Sequence, residues 1–181
     1  ENGGAIAEGG QVYYSRIVPD SKQYYQFGLP LSCELANVKM SNTDKLGGSQ
    51  PKYGTAWMLK SYNEKKRANN GISNEGANWD LLPSNGTITA GRGYEMFSNS
   101  NYYREFYFPV TLPAEPTTTV SVSYTPNGAE GAAHAGWNII TSPLTSKATV
   151  TIGDPATAIK VCWLQADGTY KQELPTIIPP A

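Results

Sequence analysis

The chain has 181 residues, with 14 basic and 15 acidic side chains for a net charge of −1, and only 16% of it is charged against about 25% in an ordinary globular domain. So neutral a chain has no field to draw in phosphate backbones, and nucleic acid is not an expected partner. No apolar run approaches the roughly 20 residues that a membrane-spanning helix needs, so direct membrane insertion is not expected either.

Gly (18), Pro (13) and Tyr (12) are prominent, which favours turns and strands over helices. Residues 1–10 read as a flexible leader. Gln11 to Val18 is a strand by its β-branched and aromatic content, with Val12, Tyr14 and Arg16 on one side and Tyr13, Ser15 and Ile17 on the other. Pro19-Asp20-Ser21 turns, and Gln23 to Leu29 follows as a strand ended by Pro30. Cys33 to Met40 alternates loosely, with Leu35 and Val38 directed to a core. Residues 41–52 form a loop.

A strand over Ala56 to Tyr62 places Trp57 and Leu59 on one face. Asn63 to Ala77 is too polar for a core element. A short helix over Glu64 to Ala68 is possible there, but the segment reads as an extended hairpin tip with Lys65, Lys66 and Arg67 in solvent. Asn78 to Leu82 returns as a strand, and Asn85-Gly86 is a tight-turn signal. Gly91 and Gly93 predict a bulge or a close backbone approach. Tyr102 to Leu112 is the most β-like run, with Phe106 and Phe108 inward and Tyr103, Glu105 and Tyr107 outward.

Pro113 to Thr119 reads as a linker. Beyond it, Val120, Val122 and Tyr124 alternate as in a half-buried strand, and Trp137 to Ile140 forms another. Ala148 to Ile152, Ile159 to Leu164 and Thr169 to Leu174 complete the series, the last two joined by an Asp167-Gly168 turn. Two segments match in kind and order: QYYQFGLPLS ending at Ser32 and GWNIITSPLT ending at Thr145. Each is preceded by a Val/Tyr strand and a Pro-Asp/Asn turn and followed by a Trp-bearing strand and a hairpin. The expected architecture is therefore all-β: two tandem β-sandwich-like units related by internal duplication, with very little helix. The first unit spans 11–112, the linker 113–119, and the second, ending before its last strand, 120–181. A sheet left short of a strand exposes an edge that can pair.

Motifs for chemistry are sparse, and no catalytic or metal-ligating residue is assigned. His134 is the only histidine and sits among small residues. Asp80, Glu95 and Glu105 lie on or beside strands, where carboxylates on a wet sheet face are ordinary; a paired acid and base in a cleft would be needed for a glycoside hydrolase. Gly91-Arg92-Gly93 lacks phosphate-loop spacing, and Asn85-Gly86-Thr87 fits a glycosylation acceptor but is explained by its turn. Cys33 and Cys162 show no metal-type spacing, and whether they pair is left open, with two unpaired buried thiols the simpler reading. The tyrosines carry the sharper hypothesis: Tyr102, Tyr103 and Tyr107, with Tyr13, Tyr24 and Tyr25, could present rings to a sugar or a protein, unless they pack between sheets.

These motifs resemble a group of large secreted or outer-surface proteins of the Bacteroidetes. The counterparts are Trp137-Asn138-Ile139 with Pro143-Leu144; Tyr62-Asn63, Arg67-Ala68, Gly71 and Trp79; and Ala90-Gly91-Arg92-Gly93-Tyr94. The likeness runs from about Gln11 to the end and departs at Phe27-Gly28-Leu29, where the Trp-Asn pair is missing. It implies a secreted or outer-surface location and a β-sandwich module. The expected function is non-enzymatic: adhesion or assembly through sheet edges and hairpin tips, with other domains or copies of the parent protein as partners and no cofactor. The alternatives are a carbohydrate-binding module with exposed, coplanar Tyr/Trp rings, and a fragment of a glycoside hydrolase.

Overall fold

A computed structural model describes residues 11–18, 22–41, 51–99, 105–112 and 119–142, and four later strands through their backbone pairing. Tyr102 and Tyr103, the Pro19-Asp20-Ser21 turn, most of the 41–52 loop, most of the 113–119 linker and the Asp167-Gly168 turn lie outside these residues.

In chain order, the first strands are β1 (Gln11–Ile17), β2 (Tyr24–Gly28), β3 (Cys33–Glu34) and β4 (Lys39–Ser41). β5 (Trp57–Tyr62) leads into helix α1 (Glu64–Asn70), and β6 (Trp79–Leu81) returns. β7 (Thr87–Ile88), β8 (Gly93–Ser98) and β9 (Glu105–Thr111) follow. The later strands are β10 (Ala148–Thr149), β11 (Val161–Leu164), β12 (Tyr170–Glu173) and β13 (Ile177–Ile178). The regular structure of the described residues is thus mostly strand with one helix, as expected. It is arranged as a three-stranded sheet β1-β9-β4, a four-stranded sheet β2-β8-β5-β6, and the pairs β3-β7, β10-β13 and β11-β12.

The two larger sheets face each other across one core. Strand alternation places Phe106, Phe108 and Val110 of β9 inward, opposite Phe27 of β2, Trp57 and Leu59 of β5, and Tyr94 and Met96 of β8, all buried. The ring of Phe27 stacks on Phe108 at 4.6 Å, and Trp57 meets Phe106 edge-on at 5.2 Å. These contacts span the layers and fix their spacing. Leu35 and Val38 are buried in the same core, as their sequence positions predict. Tyr53 ties the β5-β6 end: its hydroxyl donates to the Leu82 carbonyl at 2.6 Å and accepts from the Leu59 N–H at 3.3 Å. The Asn85-Gly86 turn forms, with the Gly86 N–H donating to the Pro83 carbonyl.

Two sequence expectations change. The segment after β5 is a helix rather than an extended tip, because Asn63 caps it: its side-chain oxygen accepts from the Lys66 N–H at 3.0 Å. Gly71 ends it at φ +63°. The alternation at Val120, Val122 and Tyr124 does not mark a strand. Val122 and Tyr124 are 52% and 65% exposed, and Trp137 to Ile140 contributes one bridge, Ile140 to Arg92. This stretch is held mainly by polar contacts, which a hydrophobic period does not register.

Candidate functional site

Residues 119–142 form a strap bound by the hairpin tip and by the end of β8. The tip is tied together by its own polar side chains. Asn78, fully buried, donates to the Gly71 carbonyl at 2.9 Å and to Glu75 at 3.1 Å, and accepts from Asn70 at 3.3 Å. From α1, Glu64 turns its buried carboxylate onto the strap. One oxygen accepts from the N–H groups of Thr125 (2.9 Å) and Gly136 (2.7 Å); the other accepts from the Thr125 hydroxyl (2.6 Å). Burial pushes this carboxyl up, but the three hydrogen bonds outweigh it and leave it below the ordinary value. Glu64 is therefore an anion serving as a clasp, not an acid poised to give a proton.

The rest of α1 adds to the grip. Ala68 accepts from the Glu130 N–H and Asn69 from the Ala129 N–H. Arg67 pairs with Glu75 and lies over the Trp137 ring at 5.4 Å. The basic run was expected in solvent; Lys65 and Lys66 are exposed, whereas Arg67 is buried between tip and strap. At the sheet end, the Gly93 N–H donates to the Ile139 carbonyl and the Thr141 N–H to the Gly91 carbonyl, both at 2.9 Å. A Cβ on Gly93 would sit 2.2 Å from Ile139 Cγ2, and one on Gly28 2.3 Å from Thr141 Cγ2. The close approach that Gly93 predicts is thus the strap's seat, and Gly28 extends it.

Between tip and strap runs a shallow groove of about 420 Å³, lined by Ser61, Tyr62, Asn63, Glu64, Asp80 and Thr125 among others. Asp80 is consumed there by Lys66 Nζ and Asn63 Nδ2, the Lys66 contact being the main reason its carboxyl is held low. The other carboxylates do not join it. Glu95 and Glu105 lie on the outer faces of opposite sheets, so the convergence a glycosidase pair needs is missing at these three positions. Among the described residues no group of three His, Cys, Asp or Glu could hold a metal ion. His134 ends a short 3-10 turn, Ala132–His134, within the strap and half-buried. Cys33 is a free, buried thiol, pushed up to about 11 by burial and by neighbouring Glu34.

Of the six tyrosines singled out from sequence, Tyr13 and Tyr107 share the outer face of the three-stranded sheet, Tyr24 lies half-exposed on the four-stranded sheet and Tyr25 packs against the core. Tyr13 pairs with Pro109 and Ser15 with Tyr107, which makes the two rings diagonal neighbours. Tyr102 and Tyr103 are outside the described residues. Sequence reasoning named Tyr24 but not the second aromatic face it belongs to, on the outside of the four-stranded sheet. Its first row across the strands is Tyr24, Phe97 and Met58; its second is Gln26, Glu95, Lys60 and Leu81; Tyr62 and Trp79 close the third, beside Gly28 and Gly93 under the strap. Tyr24 is 46% and Leu81 50% exposed. The ring pairs are tilted, at 36° for Tyr24–Phe97 and 76° for Tyr62–Trp79, so they do not form a flat platform. Burial pushes the Glu95 carboxyl up, with Lys60 opposing and Glu75 adding. Period-2 alternation in each strand could have exposed this face, had the strand order been known.

No family model, curated protein or solved structure matches the chain.

Proposed function

We propose that the chain is a non-enzymatic binding module of a secreted or cell-surface protein, acting in adhesion or assembly through strand pairing and hairpin-tip contacts. One observation carries this reading: the strap is bound by those two devices together, an α1 tip that clasps it through Glu64 and a sheet end that hydrogen-bonds it at Gly91 and Gly93. Strand addition supplies main-chain affinity, and the glycine seat selects what fits beside it. In this reading residues 120–181 derive from a copied β-sandwich block, and the first block's tip grips the start of its successor. The surface location rests on the sequence resemblance. Displayed on a non-adherent bacterial host, the chain is expected to cause cell aggregation or retention on protein- or glycan-coated surfaces. Retention no better than an empty display control on every surface refutes the proposal.

A second reading, carbohydrate binding, is favoured by Tyr13 and Tyr107 on one outer face. It expects glycan-array signal that Tyr13→Ala abolishes; an array blank for the native chain removes it.

A further inference from the structure

The outer face of the four-stranded sheet carries a charge pattern that is complementary to itself. Glu95 on β8 and Lys60 on β5 are cross-strand partners in its central row. Lys60 does not close an ion pair with Glu95: the ion pairs among the described residues are Lys66–Asp80 and Arg67–Glu75, and the Lys60 ammonium lies 4.5 Å over the Tyr24 ring. Neither group is taken up by an ion pair, although Lys60 rests on Tyr24 and acts on Glu95 from across the strands. A two-fold axis running along the strands between β8 and β5 exchanges the two columns. It sets Lys60 of one copy on Glu95 of the other, twice, and Phe97 on Met58, a sulfur–aromatic contact. Gln26 then meets Leu81 at the flanks. The third row is already closed by the strap, whose Ile139 and Thr141 sit on Gly93 and Gly28, so the open part of the face continues an interface the chain itself makes.

We infer that this face is a self-association surface whose partner is a second copy of the chain, packed sheet on sheet with reciprocal Lys60–Glu95 pairs. The inference rests on the assembly reading above and gives it a partner. Four strands about 4.8 Å apart and two open rows about 7 Å apart along the strands make the open face about 19 Å by 14 Å. Two such faces bury about 500 Å² in total, below the roughly 1,000 Å² of a stable specific interface, so the dimer is weak and transient. Aligned face-to-face packing of two sheets is an ordinary geometry for such a contact.

Sedimentation velocity of the full chain from about 10 µM to 1 mM tests it, and charge exchange makes the test specific. The native chain is expected to show a concentration-dependent dimer. Glu95→Lys alone and Lys60→Glu alone each juxtapose like charges and weaken that dimer at least about 10-fold. Mixed one to one, the two variants are mutually complementary and recover a mixed dimer. An effect confined within each chain cannot produce recovery on mixing. Circular dichroism checks each fold, and Leu81→Asp, at the exposed flank, serves as an independent variant expected to dissociate the dimer. A native chain monomeric at 1 mM, dimers that survive both single variants and Leu81→Asp, or a mixture that stays monomeric overturns the inference. So does a monomer that binds an arrayed glycan through Tyr24. If the display assay succeeds while the chain stays monomeric, this inference alone fails and the broader reading stands.

Discussion

Replacing Glu64 with Ala removes one carboxylate and strands three donors on the strap: the Thr125 N–H and hydroxyl and the Gly136 N–H, held at 2.9, 2.6 and 2.7 Å. A hydrogen bond to a charged group contributes about 1.5–3 kcal/mol, and three that converge on one acceptor add up to less than their sum. A loss of about 3 kcal/mol in strap docking is therefore expected. At about 1.4 kcal/mol per tenfold change, this speeds hydrogen exchange at the Thr125 and Gly136 amides by about 100-fold. The amides of β9 in the core keep their protection. Glu64→Gln retains one oxygen for both amides, so its exchange rises by only about 10-fold. The pH dependence has a definite sign. The folded carboxyl is depressed below its ordinary 4.5, so its contribution is complete above that value and is lost as pH falls through the lower folded value. Glu64→Gln is flat in that window. If Glu64→Ala keeps its fold and both amides exchange within threefold of native, the clasp is not what holds the strap.

Gly93→Ala drives a Cβ to 2.2 Å from Ile139 and is expected to cost about 1–3 kcal/mol by urea denaturation; adding Ile139→Ala should restore part of it, and additive losses would refute the contact. Phe108→Ala empties the centre of the interlayer ring contacts and should cost about 3–5 kcal/mol in the same assay. Tyr53→Phe removes the hydroxyl bridging the Leu59 N–H and Leu82 carbonyl, a loss of about 1–2 kcal/mol, and an unchanged denaturation midpoint would show the bond to be idle. In a Cys162→Ser background, Cys33 should resist a thiol reagent at pH 8 until the chain unfolds, since the thiol is buried and pushed up to about 11; rapid labelling of folded protein contradicts its burial.

The strands between residues 11 and 112 were legible because they are half-buried and alternate. Phe106 and Phe108 against Tyr107 and Glu105 can be read directly, and so can Trp57 and Leu59. The helix was less so: Asn63 and Gly71 bracket it with cap signals, but six polar residues and a single Ala68 carry no apolar stripe to announce it. The clasp was illegible. Its partners lie 61 and 72 residues beyond Glu64, and nothing local in EKKRANN marks a carboxylate that is to be buried. The strap's alternation misled for the converse reason. Val122 and Tyr124 follow the strand period, yet among the described residues they pair with no strand to give that period meaning. The second aromatic face needed strand order, since Tyr24, Phe97 and Met58 become neighbours only once β8 is placed between β2 and β5.

β9 lies at the centre of its sheet, and both of its neighbours come earlier in the chain. β1 meets β9 across about 90 to 100 residues. During synthesis at about 5–20 residues per second, β1 must therefore wait some 5–20 s before a partner exists. Through that interval β1 and β4 are unpaired templates that a neighbouring nascent chain can capture. A ribosome stalled before Glu105 leaves half of the layered core without its lid. Slow codons upstream of that point, or loss of a holding chaperone, should therefore cost more soluble protein than the same disturbance placed after Thr111.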